Sequence, residues 1–255
     1  MSTASQPQRW FPFRRPQARA SLRVVCFPHA GGGAATFNSW AARMPPHVEL
    51  CAVDAPGRGS RWGDKRIDSA TALIDALLPA LRPLMDVPLA LFGHSLGALV
   101  AFELARRLRQ LQLPGPAHLI VSGSPAPRVR PIPRPLSALP DEPFREEVRK
   151  LGGSPPEVLA HREMMEMLTP VLRNDFAMFE RYRYTPEPPL GCPLTAWGGK
   201  DDPDTPEPAL EAWREETQQV FSARVFPGGH FFLFQEGPRY ADELIRALSG
   251  GAQGT

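Results

Sequence analysis

Short runs of Val, Leu and Ile alternate along the chain with longer segments of helical periodicity. The apolar runs predict strands at residues 22–27, 48–53, 89–92, 118–121, 193–197 and 223–226. The periodic segments predict helices at residues 69–84, 97–111, 206–220 and 238–248. Continuous apolar strands between amphipathic helices are typical of a mostly parallel sheet flanked by helices. We therefore predict an α/β fold in which residues 1–255 form one domain.

One region interrupts this alternation, because residues 125–190 contain no convincing strand. Apolar side chains recur there at helical spacing around residues 144–151, 164–168 and 176–179, which predicts a helical insertion within the domain. The chain has 31 prolines, of which nine lie in residues 114–143 and seven in residues 186–208. These two stretches bracket the insertion. Because proline fixes φ, we expect stiff connectors at both ends of the insertion.

Composition and charge exclude several classes of function. The net charge of +2 and the lack of a zinc-finger, RNP or helix-turn-helix signature argue against a nucleic-acid-binding protein. The three cysteines are Cys26, Cys51 and Cys192; their odd number and mostly apolar neighbours predict buried thiols, with no disulfide framework or metal site. No apolar stretch approaches the roughly 18 residues of a membrane helix, and no signal peptide is recognisable. We expect no membrane association and a cytoplasmic protein.

The first 48 residues carry only positive charge. Six arginines precede the first acid, Glu49, and they are Arg9, Arg14, Arg15, Arg19, Arg23 and Arg43. This basic first segment either docks an acidic partner or is a solvated face in a chain that uses arginine almost to the exclusion of lysine. The sequence leaves both interpretations open.

The sharpest local motif is Gly93-His94-Ser95-Leu96-Gly97. It follows the apolar run at residues 89–92 and precedes a predicted helix, which is the context of a G-x-S-x-G nucleophile elbow. The flanking glycines are needed because the serine occupies a strained turn that lifts its hydroxyl clear of the sheet. Ser95 is therefore the predicted nucleophile.

A serine hydroxyl is a weak nucleophile at neutral pH and needs a general base that a third group orients. In folds with this elbow, the chain order is serine, acid, histidine. His230 follows the last predicted strand and two glycines, so we predict that it is the base. None of the other histidines has a comparable motif; they are His29, His47, His94, His118 and His161.

Three aspartates follow the penultimate predicted strand, where the acid of such a triad belongs. We predict Asp202 for this role, with Asp201 as the second candidate and Asp204 as a remote third. A structural alternative for Asp204 is to cap, with Thr205, the helix that begins near Pro206. Chemistry of this kind needs neither a metal nor another cofactor.

Two backbone N–H groups must also stabilise the oxyanion that develops during acyl transfer. One belongs to the residue after the nucleophile, Leu96. We assign the other to Ala30, because Pro28-His29-Ala30-Gly31-Gly32-Gly33 follows an early strand and matches an H-G-G-G loop with alanine in place of the first glycine. The alternative, a phosphate-binding loop, lacks both the lysine of a P-loop and the G-x-G-x-x-G fingerprint.

Taken in order, the motifs resemble those of one enzyme family. They are Trp10-Phe11, Cys26 to Gly32, Pro56 to Arg61, the elbow at Ser95, Gly198-Gly199-Lys200-Asp201-Asp202 and Gly228-Gly229-His230-Phe231-Phe232. Over nearly the whole chain they resemble the type II, or external, thioesterases of nonribosomal peptide and polyketide synthesis. The loop Ala55-Pro56-Gly57-Arg58-Gly59 departs from that family, in which leucine is commoner before the proline and an acid or glutamine after the arginine. The resemblance therefore assigns this loop no role.

The resemblance implies an α/β-hydrolase fold in which residues 125–190 form a lid. It implies a triad of Ser95, Asp202 and His230, with oxyanion donors at Ala30 and Leu96 and no cofactor. The implied activity is hydrolysis of stalled or wrong acyl groups from the phosphopantetheine arm of carrier proteins, with siderophore-pathway members nearest in pattern. We expect a monomer; acidic carrier domains are the partner that the docking interpretation of the basic first segment would imply. Lid methionines would suit a chamber for varied acyl groups, although such clusters are more often ordinary core.

Fold and triad do not by themselves choose a substrate. One alternative is an ordinary carboxylesterase or lipase on the same scaffold. A second is acyl transfer to a nucleophile other than water. A third, from a different class, is a non-catalytic scaffold that binds carrier domains, against which the complete set of serine, aspartate and histidine weighs.

Overall fold

The computed structural model describes residues 6–131, 134–153, 161–235 and 237–250. Its sheet consists of β1 (Leu22–Phe27), β2 (Val48–Ala52), β3 (Leu89–His94), β4 (His118–Ser122), β5 (Leu194–Gly199) and β6 (Phe221–Phe226). The spatial order is β2-β1-β3-β4-β5-β6, and every neighbouring pair is parallel. All six predicted strands are present, and the prediction of an α/β fold is confirmed.

Helices lie on both faces of this sheet. Within the described residues they are α1 (Gln6–Trp10), α2 (Asn38–Ala41), α3 (Ala70–Leu81), α4 (Leu96–Gln110), α5 (Asp141–Leu151), α6 (Arg162–Arg181), α7 (Glu207–Glu211), α8 (Phe232–Gln235) and α9 (Gly237–Gly250). The helix predicted at residues 206–220 is shorter than expected: α7 is followed by a 3-10 turn, Ala212–Glu216. The last strand also begins earlier than predicted, since β6 already pairs with β5 from Phe221 onward.

Burial of the sheet on both faces explains its continuous apolar strands. Along β1, Val25 and Phe27 belong to the core that contains α3 and α4. Val24 and Cys26 alternate with them and belong to the opposite core, which contains α2 and α9. All three cysteines are free and buried, as predicted. In the part of the chain that the structure describes, no helix has the length and apolar character needed to cross a membrane.

The 125–190 segment connects β4 to β5. Its described residues contain α5 and α6 and no strand apart from a single bridge between Leu190 and Thr217. Two predicted helical pieces form the one helix α6, which continues through Pro170. Buried side chains before and after the proline hold both halves in place, since α5 and α6 share a small core of Phe144, Val148, Met165 and Leu172.

Most arginines of the basic first segment are paired inside the molecule. The ion pairs are Arg9–Asp64, Arg14–Glu49, Arg23–Glu49, Arg23–Asp86 and Arg43–Asp242. Among the described residues of this segment, Arg15 and Arg19 are exposed and form no ion pair. Much of the positive charge is therefore compensated locally, which favours the solvated face over a docking surface.

Candidate active site

The predicted catalytic residues and oxyanion donors lie on loops at one edge of the sheet. Because the strands are parallel, their carboxyl ends share an edge, and Ala30, Ser95, Asp202 and His230 follow β1, β3, β5 and β6. From the neighbouring strands β1 and β3 the chain winds in opposite directions, so a crevice opens between the loops that follow them. Sheet topology thus brings together residues that are far apart in sequence.

Ser95 occupies a sharp turn between β3 and α4. Its backbone has φ of 56° and ψ of −117°, a conformation that residues other than glycine rarely adopt. A Cβ on Gly93 would lie 2.1 Å from the Gly97 carbonyl oxygen, and a Cβ on Gly97 would lie 2.1 Å from the Phe27 carbonyl oxygen. The Ser95 amide donates to the Ser122 carbonyl at 2.8 Å. The turn is therefore packed too tightly for any residue larger than glycine at positions 93 and 97. The half-buried Ser95 lies at the N-terminus of α4.

The loops after β5 and β6 join Asp202 to His230. His230 Nδ1 lies 2.8 Å from Asp202 Oδ2, and the backbone amide of Asp204 donates to Asp202 Oδ1 at 3.0 Å. Burial raises the pKa of Asp202, but its hydrogen bond to His230 and the charge of that imidazole outweigh burial, and the pKa lies below its ordinary value. Asp202 is thus ionised at neutral pH, where it can orient the imidazole and stabilise its protonated form.

The other two candidate acids lie elsewhere in the same loop. Asp201 and Asp204 have exposed side chains, and neither carboxylate is hydrogen-bonded to His230 in the described structure. The predicted helix cap by Asp204 and Thr205 is wrong, because Pro206 is the N-cap of α7 and makes no side-chain hydrogen bond there. The loop instead directs the Asp204 amide at Asp202, so its geometry supports the buried carboxylate rather than the helix.

Ser95 and His230 line one cavity of about 440 Å³, together with Ala30 and Leu96. The hydrogen bonds of the described residues do not include one between the Ser95 hydroxyl and the His230 imidazole. Catalytic hydrogen bonds of this kind often tighten only around bound substrate. The structure thus joins Asp202 to His230 directly and brings Ser95 to the same cavity.

Ala30 in the loop after β1 and Leu96 at the start of α4 both line this cavity. Among the described residues, neither the Ala30 N–H nor the Leu96 N–H donates a hydrogen bond within the chain. The Gly32 N–H donates to the His29 carbonyl at 3.0 Å. Because a trans peptide is planar with C=O and N–H antiparallel, this bond directs the Ala30 N–H away from Gly32. Two unpaired amides beside a serine hydroxyl can stabilise a developing oxyanion.

The opposite wall of the cavity comes mostly from the 125–190 segment. Its apolar contributors on α5 and α6 are Val148, Leu151, Leu172, Phe176 and Phe179. Of the two interpretations of the methionines, the structure favours ordinary core: no methionine is among the described residues that line this cavity, and Met165 lies in the small core shared by α5 and α6. Phe176 and Phe179 follow Leu172 at helical spacing and face the cavity, whereas Met164 and Met167 lie off this stripe and are 41% and 58% exposed.

Two further histidines are close to His230 but differ from it in environment. Burial and the charge of His230 lower the pKa of His29 to about 4. Burial and the same neighbouring charge also hold the pKa of His94 well below its ordinary value, and His94 Nδ1 lies 3.0 Å from Ser122 Oγ. Both imidazoles are neutral at pH 7 and poorly suited to act as general bases.

One buried pair beside the site was missed from the sequence. Asp175 on α6 accepts a hydrogen bond from the Gly31 N–H at 2.8 Å and forms an ion pair with Arg58. No local motif marks Asp175, which comes from a helix read only for its apolar periodicity. The one available signal was the Pro56-Gly57-Arg58 turn, and its departure from the resembled family led us to assign it no role.

Comparison with known proteins agrees with this fold. A family model described as thioesterase domain matches residues 22–250. The gramicidin S biosynthesis protein GrsT of Aneurinibacillus migulanus is 41% identical over 235 residues, which cover 92% of this chain and 92% of that protein. The structure of the type II thioesterase BorB from the borrelidin biosynthetic cluster superposes with a TM-score of 0.84 at 35% identity, covering 97% of this chain and 100% of that one.

A further solved structure is RedJ, a thioesterase from the prodiginine biosynthetic pathway in Streptomyces coelicolor. It superposes with a TM-score of 0.83 at 40% identity and covers 92% of this chain and 88% of that one. The family match spans all six strands of the sheet and both sides of the cavity. The chain therefore belongs to the thioesterase domain family, with the α/β-hydrolase fold, and within it to the type II thioesterases.

Proposed function

We propose that this thioesterase removes acyl groups from the phosphopantetheine arm of carrier proteins in a nonribosomal peptide or polyketide synthase, and so clears stalled or wrong intermediates. One observation carries the proposal: a serine on a strained elbow shares an apolar cavity with a histidine that a buried carboxylate orients. The proposed triad is Ser95, His230 and Asp202. The proposed oxyanion donors are the backbone amides of Ala30 and Leu96.

In the first half-reaction, Ser95 Oγ attacks the thioester carbon while His230 Nε2 takes the hydroxyl proton. The electron pair of the C=O bond moves onto oxygen, where the two amides stabilise the negative charge. When the intermediate collapses, the C–S bond breaks and His230 returns its proton to the departing thiolate. Because a thiol has a pKa of about 8.5, this leaving group needs less help from a general acid than an amine would.

The second half-reaction releases the acyl group from Ser95. His230 takes a proton from water, whose oxygen attacks the ester carbon, and the same amides hold the new oxyanion. The bond to Ser95 Oγ then breaks, and the serine recovers a proton from His230. The product is the free carboxylic acid. In both halves Asp202 stabilises the transient imidazolium.

We propose that the 125–190 segment acts as a lid whose apolar side chains receive the acyl group. Burial of each CH₂ group contributes about 0.8 kcal/mol, so acyl chains that fill the cavity bind more tightly than acetyl. An apolar wall makes few directional demands, which suits an editing enzyme that must accept varied acyl groups. Relatives named for three pathways match at 35% to 41% identity, so the proposal stops at carrier-bound thioesters and names no pathway.

For the partner and the setting, we propose a monomer that works in the cytoplasm on carrier domains of such a synthase. Among the described residues of the basic first segment, Arg15 and Arg19 are the exposed arginines that form no ion pair and so carry uncompensated charge for an acidic carrier. A docking role for the whole segment therefore forms no part of the proposal.

The test uses a carrier protein loaded with octanoyl-phosphopantetheine. We expect the wild-type enzyme to return the carrier to its free thiol form, as followed by intact-protein mass spectrometry. Ser95→Ala should lose at least about 10⁴-fold in rate, because the nucleophile is gone. Ser60→Ala, which changes an exposed serine, is the matched control and should keep wild-type activity.

The main alternative is an ordinary carboxylesterase on the same scaffold. Cleavage of p-nitrophenyl octanoate without any release from the carrier would contradict the proposal. A product other than octanoic acid would instead indicate acyl transfer. A fluorophosphonate adduct found anywhere but on Ser95 would remove the assigned nucleophile.

A further inference from the structure

A buried ion pair connects α6 with the loop that carries Ala30. Asp175 on α6 has no exposed surface, and Arg58 is 8% exposed. Arg58 Nη1 donates to Asp175 Oδ2 at 2.8 Å, and Nη2 donates to Asp175 Oδ1 at 2.7 Å. A bidentate pair of this kind fixes the relative orientation of its two planar groups. Because the pair is shielded from water, the loss of either charge would leave the other uncompensated.

Both partners of this pair also bind the backbone of the loop after β1. Asp175 Oδ2 accepts from the Gly31 N–H at 2.8 Å, and Arg58 Nη1 donates to the Gly32 carbonyl at 3.0 Å. The helix is also in direct packing contact with the loop, since a Cβ on Gly31 would lie 2.5 Å from Leu172 Cδ2. Gly31 has φ of +78°, a conformation that favours glycine. The loop after β1, Arg58 and α6 thus meet at two consecutive glycines, Gly31 and Gly32.

These contacts fix the direction of the Ala30 amide. The Gly32 N–H holds the His29 carbonyl at 3.0 Å, and the peptide plane between His29 and Ala30 follows from it. Gly31, which links Ala30 to Gly32, is held in turn by Asp175. If Asp175 were removed, the Gly31 N–H would lose its acceptor, and Arg58 would lose the ion pair that holds it against the Gly32 carbonyl. The Ala30 N–H would then no longer be preorganised.

We propose that Arg58 and Asp175 are positioning residues that hold the Ala30 amide in the orientation needed to bind the oxyanion, so that the oxyanion hole is complete only while α6 is seated on the loop. This inference rests on the role proposed above for Ala30. Movement of α6 away from the loop breaks the Asp175 contacts and removes stabilisation of the transition state. The segment that covers the acyl group therefore also switches the catalytic site between a competent and an incompetent form.

The first test is Asp175→Asn, which keeps the shape and an acceptor for Gly31 but removes the charge that binds Arg58. One oxyanion donor is worth about 10²–10³ in kcat, so partial misplacement should lower kcat by about 10- to 100-fold with KM within about twofold. Glu49→Gln is the matched control, because Glu49 is 1% exposed and also pairs with two arginines, but lies on β2 away from the cavity. It should lower Tm and leave kcat within about twofold.

A second readout does not need the natural substrate. Phenylboronic acid forms a tetrahedral adduct with a reactive serine and places a negative oxygen in the oxyanion hole. Its affinity should fall in Asp175→Asn by the same factor as kcat and stay unchanged in Glu49→Gln. Arg58→Lys keeps the charge but loses the two-pronged geometry, so it should change both quantities in the same direction by a smaller factor.

The outcomes separate this inference from the proposed function. If both variants keep the kcat and boronate affinity of Glu49→Gln, or if their loss lies only in KM, the positioning role is wrong. If Asp175→Asn does not fold, Arg58→Lys decides in the same way. If wild-type enzyme binds the boronate through Ser95 but releases nothing from carrier proteins, the substrate proposal fails while the positioning role is still supported by boronate affinities.

Discussion

The carboxyl edge of the sheet and the 125–190 segment build opposite walls of one cavity by different means. At the sheet edge, short backbone hydrogen bonds tie the loops to strands, as from the Ser95 amide to β4 and from the Lys200 amide to the Phe226 carbonyl at 2.7 Å. The segment turns mainly apolar side chains to the cavity: its own core has four buried side chains, and α6 still exposes Met164 and Met167. One wall presents polar groups fixed by backbone hydrogen bonds. The other presents apolar side chains, although side-chain hydrogen bonds such as those from Arg173 to the Ser137 and Leu139 carbonyls also hold its helices.

This difference separates the demands of chemistry from those of substrate choice. Attack on a thioester requires groups placed to within a fraction of an ångström, and loops anchored on a rigid sheet can provide that. An apolar wall tolerates changes of shape, because dispersion and burial have little directionality. Asp175 is the exception, since it carries a directional bond from the segment to the sheet edge. Helix position and catalytic geometry are therefore coupled at that residue.

The largest expected effect comes from Asp202→Asn at the sheet edge. The amide cannot stabilise the His230 imidazolium or fix its tautomer, so kcat for octanoyl-carrier should fall by about 10³–10⁴-fold. Asp201→Asn is the matched control: it changes the adjacent, exposed aspartate and should stay within about twofold of wild type. A larger loss of kcat in Asp201→Asn than in Asp202→Asn would show that Asp201, and not Asp202, is the acid of the triad.

A second strong effect should follow from Gly93→Ala in the elbow. The new Cβ would lie 2.1 Å from a backbone oxygen of α4, and neither the strand nor the helix can move away. We expect a loss of about 3 kcal/mol or more in the free energy of unfolding, measured by urea denaturation. Gly115→Ala adds its Cβ where no atom lies within 4 Å, and should change the stability by less than about 0.5 kcal/mol. Equal stability of the two variants would show that the elbow is not tightly packed.

The same two regions differ in how much of them the sequence predicts. Strands and elbow are predictable because their signals are local: an apolar run marks a buried strand, and two glycines around Ser95 mark a turn that accepts no Cβ. His230 and Asp202 follow from chain order, since parallel strands deliver successive loops to one edge. The choice between Asp201 and Asp202 depends on which side chain turns inward, and that is decided by loop geometry.

The 125–190 segment is predicted less well, because its structure depends on contacts between distant residues. Local rules place a helix boundary near Pro170, yet packing on both sides carries α6 through it. Helical periodicity identifies an apolar stripe but not which part of it faces the cavity, so the sequence leaves open whether the methionines line the chamber or pack in the core. The pair of Arg58 and Asp175 joins two loops and a helix, and no pattern within either neighbourhood predicts the other partner.

Buried His118 at the start of β4 should make the protein less stable as the pH falls. Its Nε2 lies 2.9 Å from Thr195 Oγ1, and burial lowers its pKa to about 4 from an unfolded value of about 6.5. As the pH falls below 6.5 the unfolded chain takes up this proton first, so stability is lost between about pH 6.5 and 4. Urea denaturation at several pH values measures how the free energy of unfolding changes with pH. In His118→Gln, this change should be smaller than in the wild type by about 1 kcal/mol per pH unit. An unchanged slope would mean that His118 does not titrate differently in the two states.

The smallest effect is expected from Phe176→Ala on the helical wall. Phe176 lines the cavity and packs edge-on against Phe144, with ring centroids 5.6 Å apart, so its removal enlarges the space for the acyl chain. We expect KM for octanoyl-carrier to rise by about three- to tenfold with kcat little changed, because lost apolar contact weakens substrate and transition state alike. Met167→Ala, on the same helix but 58% exposed, should leave KM unchanged. A fall in kcat at constant KM would instead assign Phe176 to the catalytic geometry, and the division between a directional sheet edge and a permissive helical wall would no longer hold.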